Sequence, residues 1–129
     1  MAPRALIAAV VATLALTGTA AAHVRVVPTR IEPGQATLLT FTAPNERIDD
    51  SIVALELTFP PDLVLDEVEQ KPGWADSVTG TGARWSGGRI IPRHFATFAV
   101  IATTVAPAGT PLAIASREVF AGETVTVGL

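Results

Sequence analysis

The chain has 129 residues, enough for one domain. Hydrophobic residues make up 49% and charged residues 16%, a balance that excludes an intrinsically disordered chain. The formal net charge of −3 argues against a nucleic-acid-binding protein, which needs a basic surface. No cysteine is present, and this excludes disulfides, zinc–thiolate sites, iron–sulfur clusters and thiol catalysis.

The first 22 residues have the pattern of a secretory signal peptide. A basic opening, Met1–Arg4, precedes the uncharged apolar run Ala5–Leu16, and Ala20 and Ala22 form an A-x-A cleavage site. The apolar run is too short to span a bilayer comfortably, which disfavours the alternative of an uncleaved membrane anchor. We therefore predict a signal peptide at residues 1–22 and one exported domain at 23–129. This domain would be periplasmic or extracellular and have no membrane span.

Cleavage at this point makes His23 the first residue of the mature protein. Its α-amino nitrogen and its ring Nδ1 can then close a six-membered chelate around a metal ion. The α-amino pKa is about 7.7–8.0 and the imidazole pKa about 6.5, so a metal displaces few protons near neutral pH. The alternative is that His23 is first only because signal-peptide cleavage occurs before it, and that it has no role in metal binding.

The mature chain consists of short β-branched runs that are interrupted by proline and glycine. The predicted strands are His23–Val27, Ala36–Ala43, Ile52–Phe59, Leu63–Val68, Ala83–Ser86, Phe95–Val105, Leu112–Phe120 and Thr124–Val127. Seven to nine strands in a chain of this size are typical of an all-β, antiparallel immunoglobulin-like sandwich. Trp74 and Trp85 are expected to pack in its core or at a sheet edge.

Four short motifs occur in an order that resembles the YcnI-like family of exported bacterial β-sandwich proteins. They are Ala22-His23-Val24, Pro44-Asn45-Glu46, Pro72-Gly73-Trp74 and Trp85-Ser86-Gly87-Gly88. The resemblance covers essentially the whole mature chain. It implies Cu(II) binding through a single-histidine brace, formed by the amine and ring of the mature N-terminal histidine. In the family, a glutamate after the W-x-G-G segment and a late tryptophan complete the site.

The chain keeps the histidine of this copper site but lacks the glutamate and the tryptophan that complete it in the family. His23 matches the brace, whereas the family's P-G-E turn is Pro92-Arg93-His94 here, and Val127 stands near the place of the tryptophan. Imidazole in place of carboxylate keeps a donor that suits Cu(II). The resemblance thus implies His23 and His94 as metal ligands. The alternative is that His94 is an exposed turn residue in a metal-free relative.

The absence of sulfur ligands from the mature chain narrows the choice of metal ion. Cu(I) prefers thiolates and thioethers, which the mature chain lacks, and structural Zn²⁺ prefers four protein ligands. Nickel binds more weakly than copper at equal geometry. The resemblance therefore implies an exported Cu(II)-binding protein that buffers or delivers copper, with other copper-trafficking proteins as partners. A metal-free β-sandwich interaction module is the alternative.

Catalysis is not expected. The chain has no G-x-S-x-G motif and no paired-carboxylate constellation. Oxidative copper enzymes also use amine-plus-imidazole braces, but they are larger and have a flat aromatic binding face, whereas this chain has no tyrosine. We expect a protein that binds and does not catalyse.

Overall fold

In this computed structural model, all the regular secondary structure of the described residues is β-strand. The structure describes residues 12–18 and 24–123, and both His23 and the predicted strand Thr124–Val127 lie outside these ranges. No helix occurs within the two ranges, so none there is long and apolar enough to cross a membrane.

The described residues form ten strands in two sheets. The six-stranded sheet has the order β3-β1-β10-β5-β8-β7 and contains β1 (Ala12–Gly18), β3 (Arg30–Ile31), β5 (Ile52–Thr58), β7 (Ala75–Thr79), β8 (Gly82–Ile90) and β10 (Pro111–Phe120). The four-stranded sheet has the order β2-β4-β9-β6 and contains β2 (Arg25–Val27), β4 (Thr37–Pro44), β6 (Leu63–Val68) and β9 (Phe95–Thr104). All pairings are antiparallel except the parallel pairing of β1 with β10. The predicted all-β sandwich is confirmed.

Period-two alternation places the core between the sheets. In β4, Leu39, Phe41 and Ala43 are buried, while the residues between them are partly exposed. Because successive side chains of a strand point to opposite faces, one face of β4 packs inward and the other faces solvent. The inner residues of β9 follow the same rule and are Phe98, Val100 and Ala102.

Two buried aromatic rings of this core, Trp85 and Phe98, pack together, and the half-buried Trp74 packs against them. Trp85 is fully buried, and its ring centroid lies 5.1 Å from that of Phe98. Trp74 packs edge-on against the same Phe98 ring, also at 5.1 Å. A Cβ at Gly88 would overlap the Trp74 ring, so glycine is needed there. The predicted packing role of both tryptophans is confirmed.

Two details of the strand prediction differ from the structure. The predicted end of one strand at Ser86 is wrong, because β8 continues to Ile90 through a bulge opposite β5. Gly87 sits in this bulge with a φ of 88°, a conformation that favours glycine. The second difference is that neither the short strand β3 nor strand β7 was predicted from the sequence. Every residue of β7 is exposed, so it carries no apolar alternation.

Part of the predicted leader, residues 1–22, contributes a strand to the six-stranded sheet. Ala12–Gly18 forms β1, which pairs with β10 over six positions and with β3 over two. Ala12 and Leu14 are buried in the core. The leader is still attached in this structure, so its removal stays a prediction.

Several connections meet at one end of the sandwich. Strand β5 begins at Ile52, which pairs with Ile90 at the end of β8 and with Phe120 at the end of β10. The side chain of Asn45, just after β4, donates a hydrogen bond to the carbonyl oxygen of Ile90. We call this region the Asn45 end. It comprises Val24, the loop 45–51, the turn 91–94 and the turn 120–123.

Candidate metal-binding end of the sandwich

Asn45 holds the Asn45 end together. It is 2% exposed, and its Nδ2 donates to the carbonyl oxygens of Asp50, at 2.8 Å, and Ile90, at 2.9 Å. Its Oδ1 accepts a hydrogen bond from the amide of Arg47 at 3.0 Å. A buried amide is stable only when its polar atoms find partners, and those of Asn45 do. The asparagine of the P-N-E motif, Asn45, therefore has a structural role.

The backbone of Asn45 also fixes the turn that carries His94. The amide of Asn45 donates to the carbonyl oxygen of His94 at 2.8 Å, and the amide of Arg93 donates to the carbonyl oxygen of Asn45 at 3.0 Å. A third bond, from the His94 amide to the carbonyl oxygen of Ile91 at 3.1 Å, closes the turn itself. Arg93 has a φ of 66°, in the left-handed region that favours glycine.

The side chain of His94 is exposed and has one ring nitrogen available to a ligand. Its Nδ1 lies 3.0 Å from the carbonyl oxygen of Pro92. A carbonyl can only accept, so this contact selects the tautomer with the proton on Nδ1. Nε2 then carries the lone pair and is free to bind a metal. A backbone carbonyl bonded to the second nitrogen is the usual support for a metal-binding histidine.

The chain enters the domain beside this turn. Val24, which follows His23, is buried, and β2 then pairs with β4 so that Arg25 faces Thr42. On the other side of β4, Phe95 of β9 faces Pro44. Strands β2 and β9 thus flank β4, and two strand spacings, about 10 Å, separate their axes. Ligands from the two strands would meet across the end of β4.

A half-buried carboxylate that the sequence analysis missed points into this end from the opposite sheet. Glu118 of β10 lies on the same face as the buried residues Leu112, Ile114 and Ser116. Its Oε2 is buried and makes no hydrogen bond among the described residues. Burial raises the pKa of Glu118 to about 7, the nearby Glu46 carboxylate adds to the rise, and Arg47 opposes it. A glutamate on the apolar face of β10 is the signal that could have identified it.

The structure brings one of the two predicted ligands to this end and leaves the other untested. His94 lies at the Asn45 end, whereas His23 lies outside the described residues. Within residues 12–18 and 24–123, no three histidine, aspartate or glutamate side chains cluster closely enough to hold a metal ion. The donors His94, Glu46 and Glu118 are of types that bind divalent cations.

Comparison with known proteins finds a likeness to a domain family over part of the chain, and it shows the fold. The model of a family described as a domain of unknown function, DUF1775, matches residues 23–84. No curated protein matches the chain. An uncharacterized protein from Nocardia farcinica, whose crystal structure reveals an immunoglobulin-like fold, is 18% identical, with a TM-score of 0.61. The match covers 78% of this chain and 77% of that one. The likeness shows that the chain has an immunoglobulin-like fold.

Proposed function

We propose that this chain is an exported Cu(II)-binding protein that buffers or delivers copper. The α-amine and ring of His23 would anchor the ion once the leader is removed. His94 would add a third nitrogen. The role is one of binding, and no bond of a substrate is made or broken.

The observation that carries the proposal is the pair of backbone hydrogen bonds between Asn45 and the His94 turn. They attach that turn to the end of β4, the strand that pairs with β2 immediately after Val24. The contact of Nδ1 with Pro92 leaves Nε2 of His94 available. The carboxylate of Glu46 adds negative charge at the same end, which favours a cation, and Glu118, whose pKa is raised to about 7, adds a second negative charge only above that pH.

The family match supports the choice of N-terminus. It begins at His23, the residue that the A-x-A site predicts as the first of the mature chain. Residues 1–22 lie outside the match. In an exported protein with a removable leader, the match to a domain family is expected to begin at the cleavage point, as it does here.

A metal-free interaction module is the second candidate, and the outer face of the four-stranded sheet favours it. Val27 is 64% exposed, Leu38 58% and Phe95 67%, and all three lie on strands of this sheet. A contiguous exposed apolar patch is typical of a surface that another molecule covers, and Val27 and Leu38 are diagonal neighbours, because Val27 faces Thr40. In this reading, His94 is a turn residue without a ligand.

Titration of the processed chain, residues 23–129, with Cu(II) separates the two candidates. The copper proposal predicts one tight site, which His23→Ala removes while the thermal unfolding midpoint changes little. The control is Arg25→Ala, a substitution two residues away at an exposed position, and it should keep the site. Equal and weak binding by all three proteins would favour the metal-free module.

A further inference from the structure

The outer face of the four-stranded sheet has an uncharged centre. Across its two central strands, β4 and β9, Thr40 faces Ala99 and Leu38 faces Ile101. These residues point away from the core, because the residues between them along each strand are buried. Neither strand contains a charged residue. The centre of the face can therefore be covered without removing a charge from water.

The two edges of this face carry charges of opposite sign. Strand β2 forms one edge, and its Arg25 is exposed. Strand β6 forms the other edge, where the exposed Glu67 faces Ile101 and the amide of the exposed Glu69 donates to the carbonyl oxygen of Ala99 at 2.9 Å. Among the described residues, none of these three charged side chains forms an ion pair. Their charges remain available to another molecule.

A shallow depression of about 290 Å³ lies beside the acidic edge. Leu38, Ala99 and Ile101 supply an apolar lining, and Glu67 and Glu69 lie at its rim. The depression suits an apolar side chain with a positive charge beside it.

The basic edge of the same face presents that combination. Val27 is 64% exposed at the end of β2. It lies on the same side of the strand as Arg25, because residues two apart in a strand point to one face. The outer face thus holds both a projection and a depression of matching shape and charge, on opposite edges.

We propose that two copies of this chain associate face to face through the outer side of the four-stranded sheet. Val27 of each copy fills the depression of the other, and Arg25 lies against the partner's Glu67 and Glu69. A twofold axis in the plane of the interface, near Thr40, exchanges the two edges, so every contact occurs twice. The inference does not depend on copper or on removal of the leader.

The size of the face sets the strength of this dimer. Four strands about 4.8 Å apart, each about as long as the eight residues of β4, cover about 500 Å² of flat area. Two such faces together reach about 1,000 Å², the lower limit for a specific interface. We therefore expect a dimer that dissociates on dilution.

Sedimentation velocity of the full 129-residue chain over a concentration series tests the proposal. The chain should sediment as a monomer when dilute and as a dimer when concentrated. Val27→Asp should leave it monomeric throughout, since a carboxylate would then be buried beside Glu67 and Glu69. Val78→Asp is the matched control and should keep the dimer, because Val78 is 60% exposed on β7 of the other sheet.

A charge exchange identifies the face more precisely. Arg25→Glu should weaken dimerisation at least about 10-fold, since repulsion occurs at both copies of the pair. Glu67→Arg with Glu69→Arg should weaken it similarly, and all three changes together should restore it. If only net charge mattered, the variant with the two acidic changes and the triple variant would associate equally, and that result would overturn the proposal. A monomer at every concentration, or a dimer that none of these changes weakens, would also overturn it.

Discussion

The amide nitrogen of Asn45 donates a hydrogen bond to the carbonyl oxygen of His94 at 2.8 Å, although the two residues are distant in sequence. The return bond runs from Arg93 to the carbonyl oxygen of Asn45 at 3.0 Å. This two-bond bridge continues the pairing of β4 with β9 beyond Pro44. It makes the position of His94 a property of the fold and not of a loose loop.

Asn45→Asp should be strongly destabilising. The substitution removes the Nδ2 donor from two carbonyl oxygens and places an acidic group against them. Each buried carbonyl left without a partner costs about 1–3 kcal/mol, so we expect a total loss of about 3 kcal/mol. Urea unfolding measures it. Gln35→Glu is the matched control, since Gln35 is exposed, and an equal effect of both changes would contradict this role of Asn45.

Arg93→Gly should stabilise the protein. The φ of 66° at Arg93 is in the left-handed region, which costs a residue with a Cβ about 1 kcal/mol and costs glycine almost nothing. We expect a gain of roughly 0.5–1 kcal/mol in the free energy of unfolding. Arg89→Gly removes the same charge within strand β8 and should destabilise. If both substitutions destabilise, the turn is not strained at Arg93.

Ionisation of Glu118 should make the folded protein less stable as pH rises from about 4.5 to 7, and Glu118→Gln should abolish this effect. The pKa of Glu118 is raised from 4.5 to about 7 in the folded protein by burial and by Glu46, with Arg47 opposing. Between these two pH values, the folded state holds a proton that the unfolded state has released, so rising pH favours unfolding.

Thermal unfolding of the metal-free protein at pH 5 and pH 8 measures this effect. Glu118→Gln should raise the unfolding midpoint more at pH 8 than at pH 5. Glu32→Gln, at an exposed position, controls for the change in net charge. The expectation for Glu118 fails if the two variants show the same dependence on pH.

His94→Ala should weaken Cu(II) binding by the processed chain. Loss of a ligand should cost at least as much affinity as loss of an outer-shell partner, about 10- to 100-fold. His94→Glu should restore binding with an oxygen in place of a nitrogen. Electron paramagnetic resonance counts the coordinated nitrogens in the three proteins. An unchanged spectrum and affinity in the alanine variant would show that His94 is not a ligand.

Period-two patterns made the main strands predictable from the sequence. Strands β4 and β9, and most of β10, each bury one face, so their apolar residues alternate along the chain. Strand β7 was not predictable in this way, because it lies at a sheet edge with all its residues exposed.

The candidate site was less predictable than the fold. The resemblance indicated His23 and His94 as metal ligands, but it did not reveal which residues surround them in the fold. The bridge between Asn45 and His94 depends on the pairing of β4 with β9, and Glu118 approaches from the other sheet. Such contacts arise only when the sheets are stacked, so no local pattern encodes them.

The central claim is that the free amine of His23 binds Cu(II), and a comparison of the processed chain with the full 129-residue chain tests it most directly. The two proteins share every residue from His23 onward, but in the full chain the backbone nitrogen of His23 is an amide, which is a poor ligand at neutral pH. Calorimetric titration near pH 7.5, in the presence of a competing chelator, gives both affinities. We predict one tight site in the processed chain and its loss in the full chain. Equal affinity of the two proteins for Cu(II) would contradict the account.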